Sequence, residues 1–326
     1  MQLNETALWK RQISSVLPDK LNDMLAQIDD KLALEEVRIR AEQPLQLCCG
    51  GFDKLIYAAG GKPAATLEDC QEIVSRVTGH SIYAWEDELK HGFITLPGGY
   101  RVGLCGKAVK EGGGFSQFAD FTSINIRISR ACAGAADKVM RGLVRPNGHI
   151  YPALIISPPG CGKTTLLRDI ARQLSYGGAC GAGLKVSLID ERMELAGSVR
   201  GAALFDLGPR TDVLSGCGKP EGIRMAVRVL SPDVIITDEL GGQDDAAAVE
   251  DAAFCGVVTI ASAHVTDITA LRKRLPLSAL LYSGAIQRII LLGREDGRAG
   301  SIMEMYDGDL QPLQRRKGGV LCFERW

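Results

Sequence analysis

The stretch Ser157-Pro158-Pro159-Gly160-Cys161-Gly162-Lys163-Thr164-Thr165 restricts the fold of this chain more than any other. The apolar run Ala153 to Ile156 precedes it, and the helix-forming Leu166-Leu167-Arg168-Asp169-Ile170 follows. A buried strand that turns on glycines into a helix opening with Lys-Thr-Thr is the pattern of a phosphate-binding loop. Gly160 and Gly162 let backbone N–H groups wrap a phosphate, and the helix N-terminus adds partial positive charge. Pro159, Cys161 and Thr165 complete the predicted cradle. Lys163 is expected to reach the β- and γ-phosphates of a bound nucleotide, and the Thr164 hydroxyl to ligate Mg²⁺. The first motif position is Ser157 rather than glycine, a departure in its least demanding place.

Such a loop needs a carboxylate at the end of a second apolar strand. Val234-Ile235-Ile236-Thr237-Asp238-Glu239 supplies two. Asp238 is expected to hold Mg²⁺ through water, and Glu239 to polarise the attacking water as general base. A third strand ends in Leu188-Ile189-Asp190-Glu191-Arg192 and a fourth in Thr259-Ile260-Ala261-Ser262-Ala263-His264. Side chains at the carboxyl ends of neighbouring parallel strands line the ligand crevice. Glu191 there can orient water or metal, and His264 can sense the γ-phosphate or couple it to a neighbour. Taken singly, a solvated strand end and a structural histidine stand as the alternatives.

These strands alternate with helical stretches near 163–175, 221–230, 244–255 and 266–275, which predicts an α/β fold with a parallel, doubly wound sheet. With 326 residues, the chain is at the length where one core gives way to two. The part before the loop reads as a smaller α+β domain. Leu21, Met24, Leu25 and Ile28 fall on one helix face. Glu36 to Arg40 alternates as a strand, with Pro44 to Leu47 as its hairpin partner. Thr66-Leu67-Glu68-Asp69 reads as a capping box before a second helix. Phe93 to Leu96 and Tyr100 to Cys105 form a hairpin around Pro97-Gly98-Gly99, and Ser123 to Ile128 is a further strand. Residues 131 to 150 read as a linker, and the domains are placed at 1–135 and 136–326. Ser301 to Phe323 reads as short strands with glycine turns.

Composition narrows the partners. Lys+Arg number 38 against 39 Asp+Glu, so the basic surplus of a polyanion binder is missing and nucleic acid is not expected. No apolar run reaches the ~18 residues of a membrane span, and Met1 to Gln12 carries no signal-peptide core. A cytoplasmic place is therefore expected. The 10 cysteines are scattered without any C-x-x-C spacing, which favours reduced thiols over a zinc or redox site.

In their order along the chain, these pieces resemble the secretion-type traffic ATPases, the ring motors of type II and type IV secretion and type IV pili. The likeness is greatest to the sporulation branch of that superfamily and covers nearly the whole chain. It is carried by Glu36-Val37-Arg38-Ile39-Arg40-Ala41-Glu42-Gln43-Pro44-Leu45, Ser123 to Ile128, Ile189 to Glu194, Arg210 to Leu214 and Ser231 to Gly241. The resemblance implies a RecA-like P-loop core, ATP and Mg²⁺ as cofactors, and a homo-oligomeric, hexameric ring. It also implies membrane-embedded channel proteins as partners at the cytoplasmic face, where the motor powers a channel between mother cell and forespore. Asp190-Glu191-Arg192 stands at the family's acidic box and Thr259 to His264 at its histidine box. Arg127 and Arg130 stand where related motors place arginines that reach toward the γ-phosphate; surface arginines on an edge strand are the alternative. General traffic ATPases usually carry Gly-Glu where this chain has Asp238-Glu239. A nucleotide-gated assembly module and a RecA-like nucleic-acid translocase are the competing functions.

Overall fold

The computed structural model describes residues 10, 13–29, 34–49, 52–85, 89, 92–96, 100–111, 114–128, 133–178, 181–197, 203, 205–295, 298–317 and 320–323. The chain divides into two compact units, Met1–Arg130 and Ala131–Trp326.

The first unit runs α1 (Asp19–Ala26), β1 (Leu34–Arg40), β2 (Leu45–Cys49), β3 (Phe52–Ile56), α2 (Leu67–Val77), β4 (Phe93–Leu96), β5 (Tyr100–Glu111) and β6 (Gly114–Arg127). Its strands form one antiparallel sheet in the order β3-β2-β1-β6-β5-β4. Helix α2 begins at the predicted capping box. The Thr66 hydroxyl accepts from the Asp69 N–H at 3.3 Å, and the Asp69 carboxylate accepts from the Thr66 N–H. Cys70, Ile73, Val74 and Val77 then form the buried stripe of that helix. Strand β3 has no counterpart in the sequence expectations. It is an edge strand whose Phe52 and Leu55 are exposed, so no buried face imposes a period of two.

The second unit contains α3 (Asp137–Leu143), β7 (Ala153–Ser157), α4 (Lys163–Tyr176), β8 (Val186–Asp190), β9 (Thr211–Ser215), α5 (Lys219–Val229), β10 (Val234–Thr237), α6 (Gln243–Phe254), β11 (Val258–His264), α7 (Ile268–Lys273), α8 (Leu275–Tyr282), β12 (Arg288–Glu295), β13 (Arg298–Asp307), β14 (Pro312–Lys317) and β15 (Val320–Phe323). The sheet order is β15-β14-β13-β12-β7-β11-β10-β8-β9. From β12 to β9 every neighbouring pair is parallel, and from β12 to β15 every pair is antiparallel. The parallel strands are covered on both faces. Along β7, Ala153 and Ile155 pack with α3 and α4, whereas Leu154 and Ile156 pack with α5, α6 and α8. That two-sided burial is why the strands read as unbroken apolar runs.

Two local expectations are corrected. The supposed linker carries α3, whose Val139, Met140 and Leu143 are buried; the Ala- and Gly-rich residues before it obscured the helical spacing. The single helix near 266–275 is two helices, interrupted at Arg274 with φ −88 and ψ 92. Pro276 lacks the N–H that a continuous helix would need, and it sits instead in the first turn of α8. Among the described residues no helix is long and apolar enough to cross a membrane.

Candidate functional site

Because β7, β11, β10 and β8 are parallel neighbours, their carboxyl ends open on one edge of the sheet. Ser157 lies opposite His264 in the ladder, and Thr237 is paired with both Ala261 and Ile189. The four strand ends singled out from sequence thus converge.

The loop after β7 has Gly160 at φ +69 and Gly162 at φ +86, conformations that strain any residue bearing a Cβ. Helix α4 starts directly afterwards at Lys163, which puts Thr164 and Thr165 in its first turn. The loop is braced from outside by the β12–β13 hairpin. Gly300 N–H donates to the Cys161 carbonyl at 3.0 Å, and Arg294 Nη2 to the Gly160 carbonyl at 2.9 Å. A Cβ on Gly162 would lie 3.2 Å from the Gly300 backbone.

Lys163 is 6% exposed. Its Nζ donates to Ser157 Oγ at 3.1 Å and to His264 Nδ1 at 3.0 Å, with the Pro158 carbonyl at 3.3 Å. Burial holds its pKa below the ordinary lysine value, opposed by Cys161, Glu239 and Asp238. An ammonium can only donate, so His264 Nδ1 accepts and Nε2 carries the ring proton. That Nε2–H donates to Glu239 Oε1 at 2.9 Å, while Glu239 Oε2 pairs with Arg192. Burial pushes the Glu239 pKa up, but His264 and Arg192 outweigh it and keep the carboxyl below its ordinary value.

Glu239 itself sits at φ +47, a conformation that costs about 1–3 kcal/mol outside glycine. Ser262 on β11 supports the turn: its Oγ accepts the Glu239 N–H at 3.1 Å and its carbonyl the Leu240 N–H at 2.7 Å. Asp238 is 1% exposed, and its Oδ1 has no hydrogen-bond partner. Burial first, then Asp190 and Glu239, push its pKa up to about 7 against the pull of Lys219. A buried carboxylate with an unpartnered oxygen beside a phosphate-type loop fits a hydrated divalent cation.

In the acidic turn after β8 the adjacent acids have different surroundings. Asp190 is fully buried and accepts the Glu194 N–H at 2.9 Å and the Ala196 N–H at 2.7 Å, so it shapes the turn. Glu191 is exposed and pairs with Lys219 at the start of α5. Arg127 belongs to the first unit, where its Nε donates to Glu36 Oε1 at 3.0 Å. Arg130 lies outside the described residues. Arg192 and Ser262 fall inside the acidic and histidine boxes without a role of their own in sequence, whereas Lys219 and Arg294 carry no sequence signal at all.

A sheet with a RecA-like parallel core, preceded in the chain by an antiparallel-sheet unit, is the α/β fold found in the secretion-type ATPases. In sequence the chain belongs to the family described as Sporulation stage III, protein AA, whose pattern matches residues 8–311. It is 40% identical over 313 residues to stage III sporulation protein AA of Bacillus subtilis (strain 168), covering 95% of this chain and 99% of the relative. In fold it is similar to the ATPase DotB of Legionella pneumophila, with a TM-score of 0.59 and 16% identity over 85% of this chain and 77% of that one. The pilus retraction motor PilT, solved with bound ADP, gives a TM-score of 0.53 and 14% identity over 90% and 78%.

Proposed function

We propose that this chain is a Mg²⁺-dependent ATPase motor subunit that assembles as a homo-hexameric ring. Its place is the cytoplasmic face of a membrane channel complex in endospore formation. The observation that carries the proposal is the chain Lys163–His264–Glu239, which joins the loop after β7 to the strand-end carboxylate through one imidazole. Family membership and the likeness in fold to secretion and pilus ATPases support the motor role.

Mg²⁺·ATP, when bound, supplies the transferable γ-phosphoryl group and a Lewis acid that offsets charge on its oxygens. The loop from Pro159 to Thr165 would hold the phosphates, with Gly160 and Gly162 leaving backbone room for them. Lys163 offers a cation that is already stripped of water and therefore loses little solvation on meeting an anion. Thr164 and Asp238 would hold the metal. Glu239, kept ionised by His264 and Arg192, takes the proton of the attacking water. Glu191 is a supporting carboxylate, and His264 a reporter between the phosphate end and the base. By the family resemblance, Arg127 and Arg130 are the candidate γ-phosphate arginines.

Phosphate release by the purified chain, measured beside light scattering with and without ATP, tests the proposal. Turnover in wild type, its loss in Lys163→Ala and a ring-sized mass are expected. A monomer without turnover under every condition, including added membrane partners, would sink it.

A further inference from the structure

Lys219 breaks three local rules at once. It is a lysine 5% exposed, it stands at the first position of α5, and it follows a glycine N-cap rather than an acidic one. Burying a cation costs solvation, and placing it at the positive end of a helix opposes the backbone dipole. Ordering its long side chain adds an entropy cost. Such a placement persists when something nearby offsets it.

Three carboxylates do so. Lys219 Nζ donates to Glu191 Oε2, and its charge also acts on Asp238 and Glu239. The helix start is fixed close to β8. A Cβ on Gly222, one turn into α5, would fall 2.7 Å from the Ile189 side chain, so only glycine lets α5 pack this near. Lys219 thus pairs directly with Glu191 at the start of α5, and its charge reaches Asp238 and Glu239.

We propose that Lys219 is a positioning residue of the candidate hydrolytic site: it fixes Glu191 and serves as the resident cation that balances the strand-end carboxylates before nucleotide arrives. Two consequences follow. Without nucleotide the acids have little capacity to take up a divalent ion, because Lys219 already stands beside Glu191 and Arg192 beside Glu239. Glu191 is held by Lys219 as Glu239 is held by His264 and Arg192, so each strand-end glutamate keeps its own cationic or N–H partner. This inference rests on the ATPase proposal for its catalytic half only.

The test uses the full chain and Mn²⁺ alone, followed by electron paramagnetic resonance, without nucleotide. Lys219→Met is expected to bind Mn²⁺ at least ~5-fold more tightly than wild type, whereas Lys219→Arg keeps the wild-type affinity. In parallel, Lys219→Met is expected to lower kcat ~10-fold or more with KM for ATP within about 3-fold, and Lys219→Arg to recover most of it. Adding Glu191→Gln to Lys219→Met should cost little further, as expected of residues that act as a unit. Unchanged Mn²⁺ affinity in a folded Lys219→Met overturns the resident-cation role. Lys219→Arg as impaired as Lys219→Met overturns it too, since packing rather than charge would then matter. If Lys219→Met does not fold, Lys219→Gln with a melting curve takes its place. A wild type without turnover speaks against the ATPase proposal, while the Mn²⁺ comparison still decides the cation.

Discussion

Lys163 Nζ donates to His264 Nδ1 across 3.0 Å, and the far nitrogen of the same ring is bonded to Glu239. The imidazole therefore fixes the spacing between the candidate phosphate-binding lysine and the candidate base. Removing it in His264→Ala leaves both charges without their bridge but leaves the loop glycines in place. Turnover is expected to fall ~10- to 100-fold while the affinity for a fluorescent ATP analogue stays within about 3-fold. Equal losses in both quantities would assign His264 to binding alone.

Glu239→Gln tests the base directly. The amide keeps the size of the side chain and can still meet His264 or Arg192, so the φ +47 turn held by Ser262 is preserved. ATP·Mg²⁺ should still bind, with hydrolysis reduced ~10²- to 10⁴-fold in single-turnover phosphate release. Wild-type rates in that variant would falsify the assignment of Glu239 as base and turn attention to Glu191.

Asp238 gives the protein a pH dependence of defined sign. Its carboxyl is pushed up to about 7 in the fold, against an ordinary value of 3.8. Between these values the folded chain holds a proton that the unfolded chain has lost. Stability from this group is thus full below pH ~4, declines as pH rises toward 7 and is level above. The ceiling is roughly 4 kcal/mol by linkage, and relaxation around the site reduces it. Asp238→Asn is expected to raise the nucleotide-free Tm at pH 8 and to leave it little changed at pH 4.5. The same variant should lose the stabilisation that Mg²⁺·ATP gives wild type. Parallel melting curves at the two pH values would remove the argument.

Much of this site was legible because it follows from strand order. Apolar runs ending in Ser157, Asp190, Thr237 and His264 read as buried parallel strands, and parallel strands bring their carboxyl ends together. The capping box at Thr66 and Asp69 was equally plain, since both partners lie within four residues. What stayed hidden depends on long-range packing. Lys219 lies in a glycine-rich segment with no motif, and its meeting with Glu191 is set by the crossing of α5 beside β8. Arg294 reaches the loop only because β12 pairs with β7 and its hairpin folds over Gly160. Edge strand β3 escaped because its exposed residues carry no periodic apolar signal, and β9 because its only apolar residues, Val213 and Leu214, are adjacent and half-buried.

Arg127 separates a structural from a catalytic arginine. Its pair with Glu36 is exposed on the arginine side, and such pairs contribute about 0–1 kcal/mol. Arg127→Ala should therefore melt within a few degrees of wild type. A role at the γ-phosphate predicts turnover lowered ~10-fold or more with nucleotide affinity nearly intact. Unchanged steady-state kinetics would confine Arg127 to its contact with Glu36.

Gly162 and Gly178 provide a matched pair for measuring what the loop demands of its backbone. Both have positive φ, +86 and +94, so alanine meets backbone strain at either position. Around Gly178 a Cβ would meet nothing within 4 Å, whereas at Gly162 it would meet the Gly300 backbone at 3.2 Å. Gly178→Ala should cost about 1–2 kcal/mol in urea unfolding, the strain alone. Nucleotide affinity should not change. Gly162→Ala adds a contact with main chain that is itself bonded to Cys161, so relief requires the loop or the hairpin to shift. A larger stability loss and at least a ~10-fold weaker grip on ATP are expected, because the displaced loop no longer presents its N–H groups together. Equal effects of the two substitutions on stability, with binding intact in both, would show that the hairpin brace has no part in shaping the phosphate cradle.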